Sequence, residues 1–177
     1  MRFYHSADML ELTAIAPDIY ILFIVGHFLK RNRRIEVADV EWVYTLFKGH
    51  TFYIQKTFNE AFADTPEGEI CTLEMIRAAI NNMIAANDTI FREILSNIPE
   101  KQKELLYAIA KDGEAERITS GLFIKRHSLT SASSVQSAVK KLLEKDIITE
   151  INKVFSLTDK LFSMWINQIY GNKSIFL

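Results

Sequence analysis

The stretch from Pro99 to Tyr170 constrains the fold more tightly than any other part of the chain. Apolar residues recur at helical spacing over residues 99–112, 120–127 and 132–145. Two β-rich runs follow, 147–151 and 154–157, with only Asn152 and Lys153 between them. Two such runs across a two-residue link predict a hairpin. A last helical stretch, 159–170, carries Leu161, Phe162, Trp165, Ile166 and Ile169. Three helices and then a hairpin is the order of a winged helix-turn-helix with a two-stranded wing. Residues 113–119 are expected to be a loop, and 132–145 to be the recognition helix.

That helix begins in serine. Four of the residues from Ser131 to Ser137 are serines. Thr130 or Ser131 is expected to cap the helix, because a side-chain oxygen there can accept from the first free backbone amides. Val135, Ala138, Val139, Leu142 and Leu143 form the expected buried stripe. Ser133, Ser134, Gln136, Ser137, Lys140, Lys141 and Glu144 then face outward. Small hydroxyls at a helix N-terminus permit close approach and can bond phosphates. Base reading, however, relies on Arg, Asn or Gln, and only Gln136 is of that kind. The remaining cations suited to phosphate are Lys125, Arg126 and the wing-tip Lys153. Three readings of this face stand side by side: sequence-specific DNA binding, weak non-specific DNA contact, and packing against a protein.

Upstream, turns are scarce: the whole chain has six glycines and three prolines in 177 residues, so its elements are long. Pro17 is expected to open a helix with Ile19, Leu22, Phe23, Val25 and Leu29 inward. A second helix is expected over 37–48, ending at Gly49, and a third over 52–64 capped by Thr51. Thr72 is expected to cap a single helix of about 25 residues, ~37 Å long, that ends at Ile98-Pro99. Its expected inner face is Leu73, Ile76, Ile80, Met83, Ile84, Ile90, Phe91, Ile94 and Leu95.

Composition excludes several classes. Residues 1–98 carry 9 basic and 13 acidic residues, net −4, and residues 99–177 carry 12 and 9, net +3. Their sum, −1, is not that of a polyelectrolyte binder. The one cysteine, Cys71, rules out an internal disulfide. The four histidines, at 5, 27, 50 and 127, share no ligand spacing, so no metal is expected. No apolar run approaches the ~18 residues of a membrane span, and no leader is evident after Met1, so a cytoplasmic location is expected.

The segments "NIPEKQKELLYAIAKDG" and "SLTSASSVQSAVKKLLEKDII" together resemble the C-terminal winged-helix region of archaeal-type AAA+/STAND-like ATPases, which are also common in Bacteroidetes. "FYHSADMLELTAIAPDIYILFIVGHF" looks like the stretch that leaves the last core strand of such an ATPase and enters its helical lid. "KGHTFYIQKTFNEAF" resembles the lid signature, although Thr51 stands where the family usually has proline. The resemblance implies a lid-like helical bundle over residues 1–98, with 1–16 as a remnant of core strand and linker, and a winged helix over 99–177. It implies that Gly49, His50 and Thr51 lie near the nucleotide, and that the full-length relative uses ATP and magnesium. This chain has neither the phosphate-binding G-x-x-x-x-G-K-[ST] loop nor an apolar run ending in two acids. It is therefore expected to be non-catalytic, to begin after the ATPase core, and to hold no cofactor of its own.

Three functions follow from these readings. The first is a regulatory lid and winged helix that docks an ATPase core or partner protein and touches DNA weakly. The second is an autonomous winged-helix transcriptional regulator, and the third a small enzyme with an unrecognised site. Residues 8–12, "DMLEL", are expected to be an orphan strand that disorders, lies on the helical lobe, or pairs with a second copy to form a homodimer.

Overall fold

The computed structural model describes residues 15–171, so the expected strand at 8–12 lies outside the described residues. By its internal contacts the chain divides into two units, Met1–Ile80 and Asn81–Leu177. The division falls within one helix.

In the first unit, Pro17 opens α1 (Pro17–Leu29), where its missing amide costs nothing. A two-residue strand β1 (Arg34–Ile35) leads to α2 (Val37–Leu46) and α3 (Thr51–Asp64). β2 (Ile70–Cys71) pairs in parallel with β1. Phe28, Val40, Val43, Ile54, Phe58 and Ala61 are buried here. Phe62 meets Phe28 edge-on at 5.1 Å, and the Arg33 guanidinium lies 4.4 Å from the Phe62 ring centre.

Two expectations fail in this unit. The buried face of α1 is Tyr20, Ile24 and Phe28, whereas Ile19, Leu22, Phe23 and Leu29 are 59–73% exposed. Thr51 is the first residue of α3 rather than its cap; His50 holds the cap position and gives no side-chain bond.

α4 (Leu73–Ala86) starts after Thr72, whose Oγ1 accepts from the Met75 amide at 3.3 Å. The expected 25-residue helix is two helices. Asn87 leaves the helical conformation at φ −101°, ψ 3°, its Nδ2 donates to the Met83 carbonyl at 2.8 Å, and α5 (Asp88–Ser96) begins. A side-chain amide that bonds the preceding turn competes with the backbone ladder and ends the helix. Ile90 and Ile94, expected inside, are exposed; Phe91 and Leu95 are the buried pair.

The second unit continues with α6 (Glu100–Asp112), β3 (Ala115–Glu116), α7 (Gly121–Arg126), α8 (Ala132–Glu144), β4 (Ile148–Ile151), β5 (Val154–Leu157) and α9 (Lys160–Tyr170). Every new helix after α6 has a side-chain cap. Ser120 Oγ accepts from Phe123 N, Ser131 Oγ from Ser134 N, and Asp159 Oδ1 from both Leu161 N and Phe162 N. α6 packs on α8 and α9, burying Leu105, Leu106, Ile109, Val135, Ala138, Leu142, Phe162 and Trp165.

The hairpin has the expected link, and its backbone explains the residues there. Asn152 and Lys153 both take positive φ, 52° and 67°, and Ile151 pairs with Val154 across them. Left-handed conformation at both central residues matches the right-handed twist of the strands. The loop expected at 113–119 contains a strand. β3 pairs antiparallel with β5, giving a three-stranded sheet in the order β3-β5-β4.

Lysine is an uncomfortable residue at φ 67°. Lys153→Gly should stabilise the second unit by ~0.5–1 kcal/mol by relieving the left-handed strain, even though it removes a cation. Chemical denaturation of the two proteins measures this, and a loss of stability would show that the lysine side chain packs.

Candidate functional site

Sequence and structure agree on the construction of α8. Ser131 anchors its first turn, and Ser133 Oγ lies 3.1 Å from Ser131 Oγ. Val135, Ala138 and Leu142 are buried, with Val139 and Leu143 half-buried beside them. The outer face therefore consists of Ser133, Gln136, Ser137, Lys140 and Lys141, all exposed, with Ser134 half-buried at its edge. These residues recur at spacings of three and four and share one side of the helix.

The charges on this face are partly spent. Lys141 Nζ bonds Glu144 Oε2 at 2.8 Å, and that bond holds the Glu144 carboxyl below its ordinary pKa. Arg126, at the end of α7, lies 3.7 Å from Asp112, whose carboxylate also meets His127 Nε2 at 3.0 Å. Among the described residues, Lys125, Lys140 and Lys153 make no ion pair. Lys125 follows from α7, Lys140 from α8 and Lys153 from the hairpin tip, so the cations stand on three separate elements of one unit.

In the first unit, residues 47–50 form the tight connection between α2 and α3, and Thr51 opens α3. Gly49 takes φ 75°, a conformation that glycine adopts without strain, and its amide bonds the Tyr44 carbonyl at 3.0 Å. The exposed His50 ring stacks on Tyr53 at 4.7 Å, and Tyr53 in turn meets Phe47 at 5.3 Å. This aromatic run fixes the turn.

One feature escaped the sequence reading. An open cavity of about 350 Å³ lies among α6, α7 and α9, lined by Tyr107, Lys111, Arg126, His127, Asn167 and Tyr170 among others. The rings of Tyr107 and Tyr170 stack at 4.7 Å. Burial, followed by the neighbouring Tyr170, pushes the Tyr107 hydroxyl up to about 12. The lining residues come from three helices far apart in sequence, so no local pattern marks them. Among the described residues, no cluster of three His, Cys, Asp or Glu side chains could hold a metal ion. No helix there is long and apolar enough to cross a membrane.

Residues 89–168 match a family described as a probable winged helix domain. The second unit is a winged helix. The solved structure of a Walker-type ATPase from Pyrococcus abyssi superposes with a TM-score of 0.62 at 12% identity, over 85% of this chain and 41% of that one. At that identity the likeness is one of fold. It extends beyond the winged helix, because 85% of 177 residues must include much of the first unit. The chain thus spans about two fifths of the length of that ATPase. No curated protein sequence matches.

Proposed function

We propose that this chain is a non-catalytic, regulatory portion of an AAA+-type ATP-binding protein. In this reading the first unit serves as the lid over nucleotide held by a separate core, with residues 49–51 turned toward it. The winged helix docks a protein partner through α8. The observation that carries the docking role is the composition of the α8 face, with its small serines and its one base-reading side chain, Gln136. Bidentate base contacts supply ~1–3 kcal/mol each, and a single glutamine can make only one. A low serine surface instead suits close approach by another folded surface. Support for the ATPase context comes from the shared fold with part of a Walker-type ATPase. The non-catalytic part of the reading rests on the sequence, which has no phosphate-binding loop of its own.

The rival reading, an autonomous DNA-binding regulator, makes a different measurable claim. With Lys125, Arg126, Lys140, Lys141 and Lys153 as the candidate phosphate contacts, binding to duplex DNA should lie near 10⁻⁴–10⁻⁶ M at ~0.15 M salt, without sequence preference. The slope of log K against log salt should be no steeper than about −4.5, because each of five neutralised phosphates contributes ~0.9. Lys140→Glu with Lys141→Glu should abolish this binding and leave the fold intact, since both side chains are off the buried stripe. Fluorescence anisotropy against random and selected duplexes reads all of this. Nanomolar affinity for one selected sequence, lost in Gln136→Ala, would overturn the docking reading in favour of the regulator.

A further inference from the structure

α1 is apolar on both sides. Tyr20, Ile24 and Phe28 fill the core of the first unit. The opposite side carries Ile19, Leu22, Phe23 and Leu29, which are 60%, 73%, 60% and 59% exposed. A helix that is apolar all round is ordinarily buried all round. Large side chains of ~200 Å² each, uncovered to this degree, sum to on the order of 500 Å², at the upper end of what a monomer leaves in one patch.

Gly26 lies in the middle of this exposed side, at spacings of four from Leu22 and three from Leu29. A Cβ built on Gly26 would meet nothing within 4 Å, so packing within this chain does not require glycine there. Glycine inside a helix costs ~1 kcal/mol relative to alanine. What glycine supplies is a gap between apolar neighbours, through which a second backbone can come close.

The ends of the helix carry opposite charge. Asp18 is exposed in the first turn, and Lys30 and Arg31 are exposed just past the last. Two copies of α1 laid antiparallel about a two-fold axis near Ile24 bring each Asp18 to the basic end of the other helix. The same arrangement brings Leu22 of one copy over Gly26 of the other, and Ile19 over Leu29. The helix dipoles then also oppose. A parallel pair would instead place the two Lys30-Arg31 ends together.

We propose that the uncovered side of α1 is a two-fold antiparallel interface between two copies of this chain. The interface is isologous, with one patch serving both subunits, as in most dimers. The α1 side chains supply over half of the ~800 Å² per partner of a standard interface, and the flanking charges extend it. This proposal is independent of the role assigned to α8.

Sedimentation equilibrium of the full chain tests it. A concentration-dependent dimer is expected, with Leu22→Asp weakening it at least ~100-fold by placing a charge in the apolar contact. Gly26→Leu is the discriminating variant. It adds apolar surface, which would strengthen a non-specific sticky patch, but it fills the gap and should weaken this dimer at least ~10-fold. Asp18→Lys should also weaken it, and Asp18→Lys with Lys30→Asp should restore it. Asp18, Leu22 and Lys30 are exposed, and a side chain added at Gly26 meets nothing within 4 Å, so circular dichroism should show each variant folded. A chain that stays monomeric at ~100 µM, or a dimer indifferent to both Leu22→Asp and Gly26→Leu, overturns the proposal. The first of these outcomes would mean that a different protein covers α1.

Discussion

Trp165→Ala should strongly destabilise the winged helix and spare the first unit. Trp165 is 1% exposed, on the inner side of α9. Its ring lies 5.8 Å from Phe162 and 5.7 Å from Phe91, and its Nε1 donates to Asp88 Oδ1 at 2.8 Å. Truncating a buried tryptophan costs ~3–5 kcal/mol, a large share of the ~5–10 kcal/mol by which a unit of this size is held. At ~4–8 °C per kcal/mol, its melting transition should fall by at least ~12 °C. Trp165→Phe keeps an aromatic ring in the core but loses the bond to Asp88 and part of the indole bulk, so it should cost less than Trp165→Ala.

The same bond has a pH signature. Hydrogen bonds from Arg92, and then from Trp165, hold the Asp88 carboxyl below its ordinary value of 3.8. A carboxyl with a depressed native pKa binds protons more readily in the unfolded state. Its contribution is therefore present above about pH 4 and lost as pH falls through the native value. Calorimetry of wild type and Asp88→Asn between pH 5 and 2 should show the two converge in acid. Convergence at higher pH would place the Trp165 effect in packing alone.

Phe28→Ala and Phe23→Ala should differ by roughly an order of magnitude in cost, although the residues sit five apart on one helix. Phe28 is 1% exposed and meets Phe62 edge-on, so its loss should destabilise the first unit by ~3–5 kcal/mol. Phe23 is 60% exposed, and its loss should cost no more than ~0.5 kcal/mol at a dilution where the chain is monomeric. Urea denaturation of both variants decides the matter. Equal costs would mean that α1 is rotated from the orientation described here.

This pair of phenylalanines also shows where the sequence could and could not be read. In α8 the apolar residues are confined to one side, so spacing alone identifies the buried stripe, and Ser131 marks the start. The outward face, and with it the candidate interface, followed directly. In α1 the apolar residues surround the axis, periodicity gives no direction, and the expected buried face was the wrong one.

Short strands failed for another reason. Ala115–Glu116 and Arg34–Ile35 are each two residues long and are strands only because β5 and β2 reach them from elsewhere in the chain. The apolar spacing alone predicts one helix through the break at Asn87. That break is fixed, however, by a side-chain bond to Met83 that spacing does not reveal. The cavity beside Tyr107 and Tyr170 is a product of tertiary packing alone.

The bond between Asp88 and Trp165 joins residues 77 positions apart. On a ribosome that adds ~5–20 residues per second, Asp88 waits several seconds for its partner to be made. Over that interval the first unit has all its own residues in hand. The winged helix does not: α8 can cover part of α6 as soon as it is made, but α5 and the rest of α6 lack their α9 partner until α9 emerges. Nascent-chain folding should therefore occur in two steps, with the second delayed until α9 clears the exit tunnel. A chain stalled before Lys160 should display its second unit as an open, chaperone-binding surface.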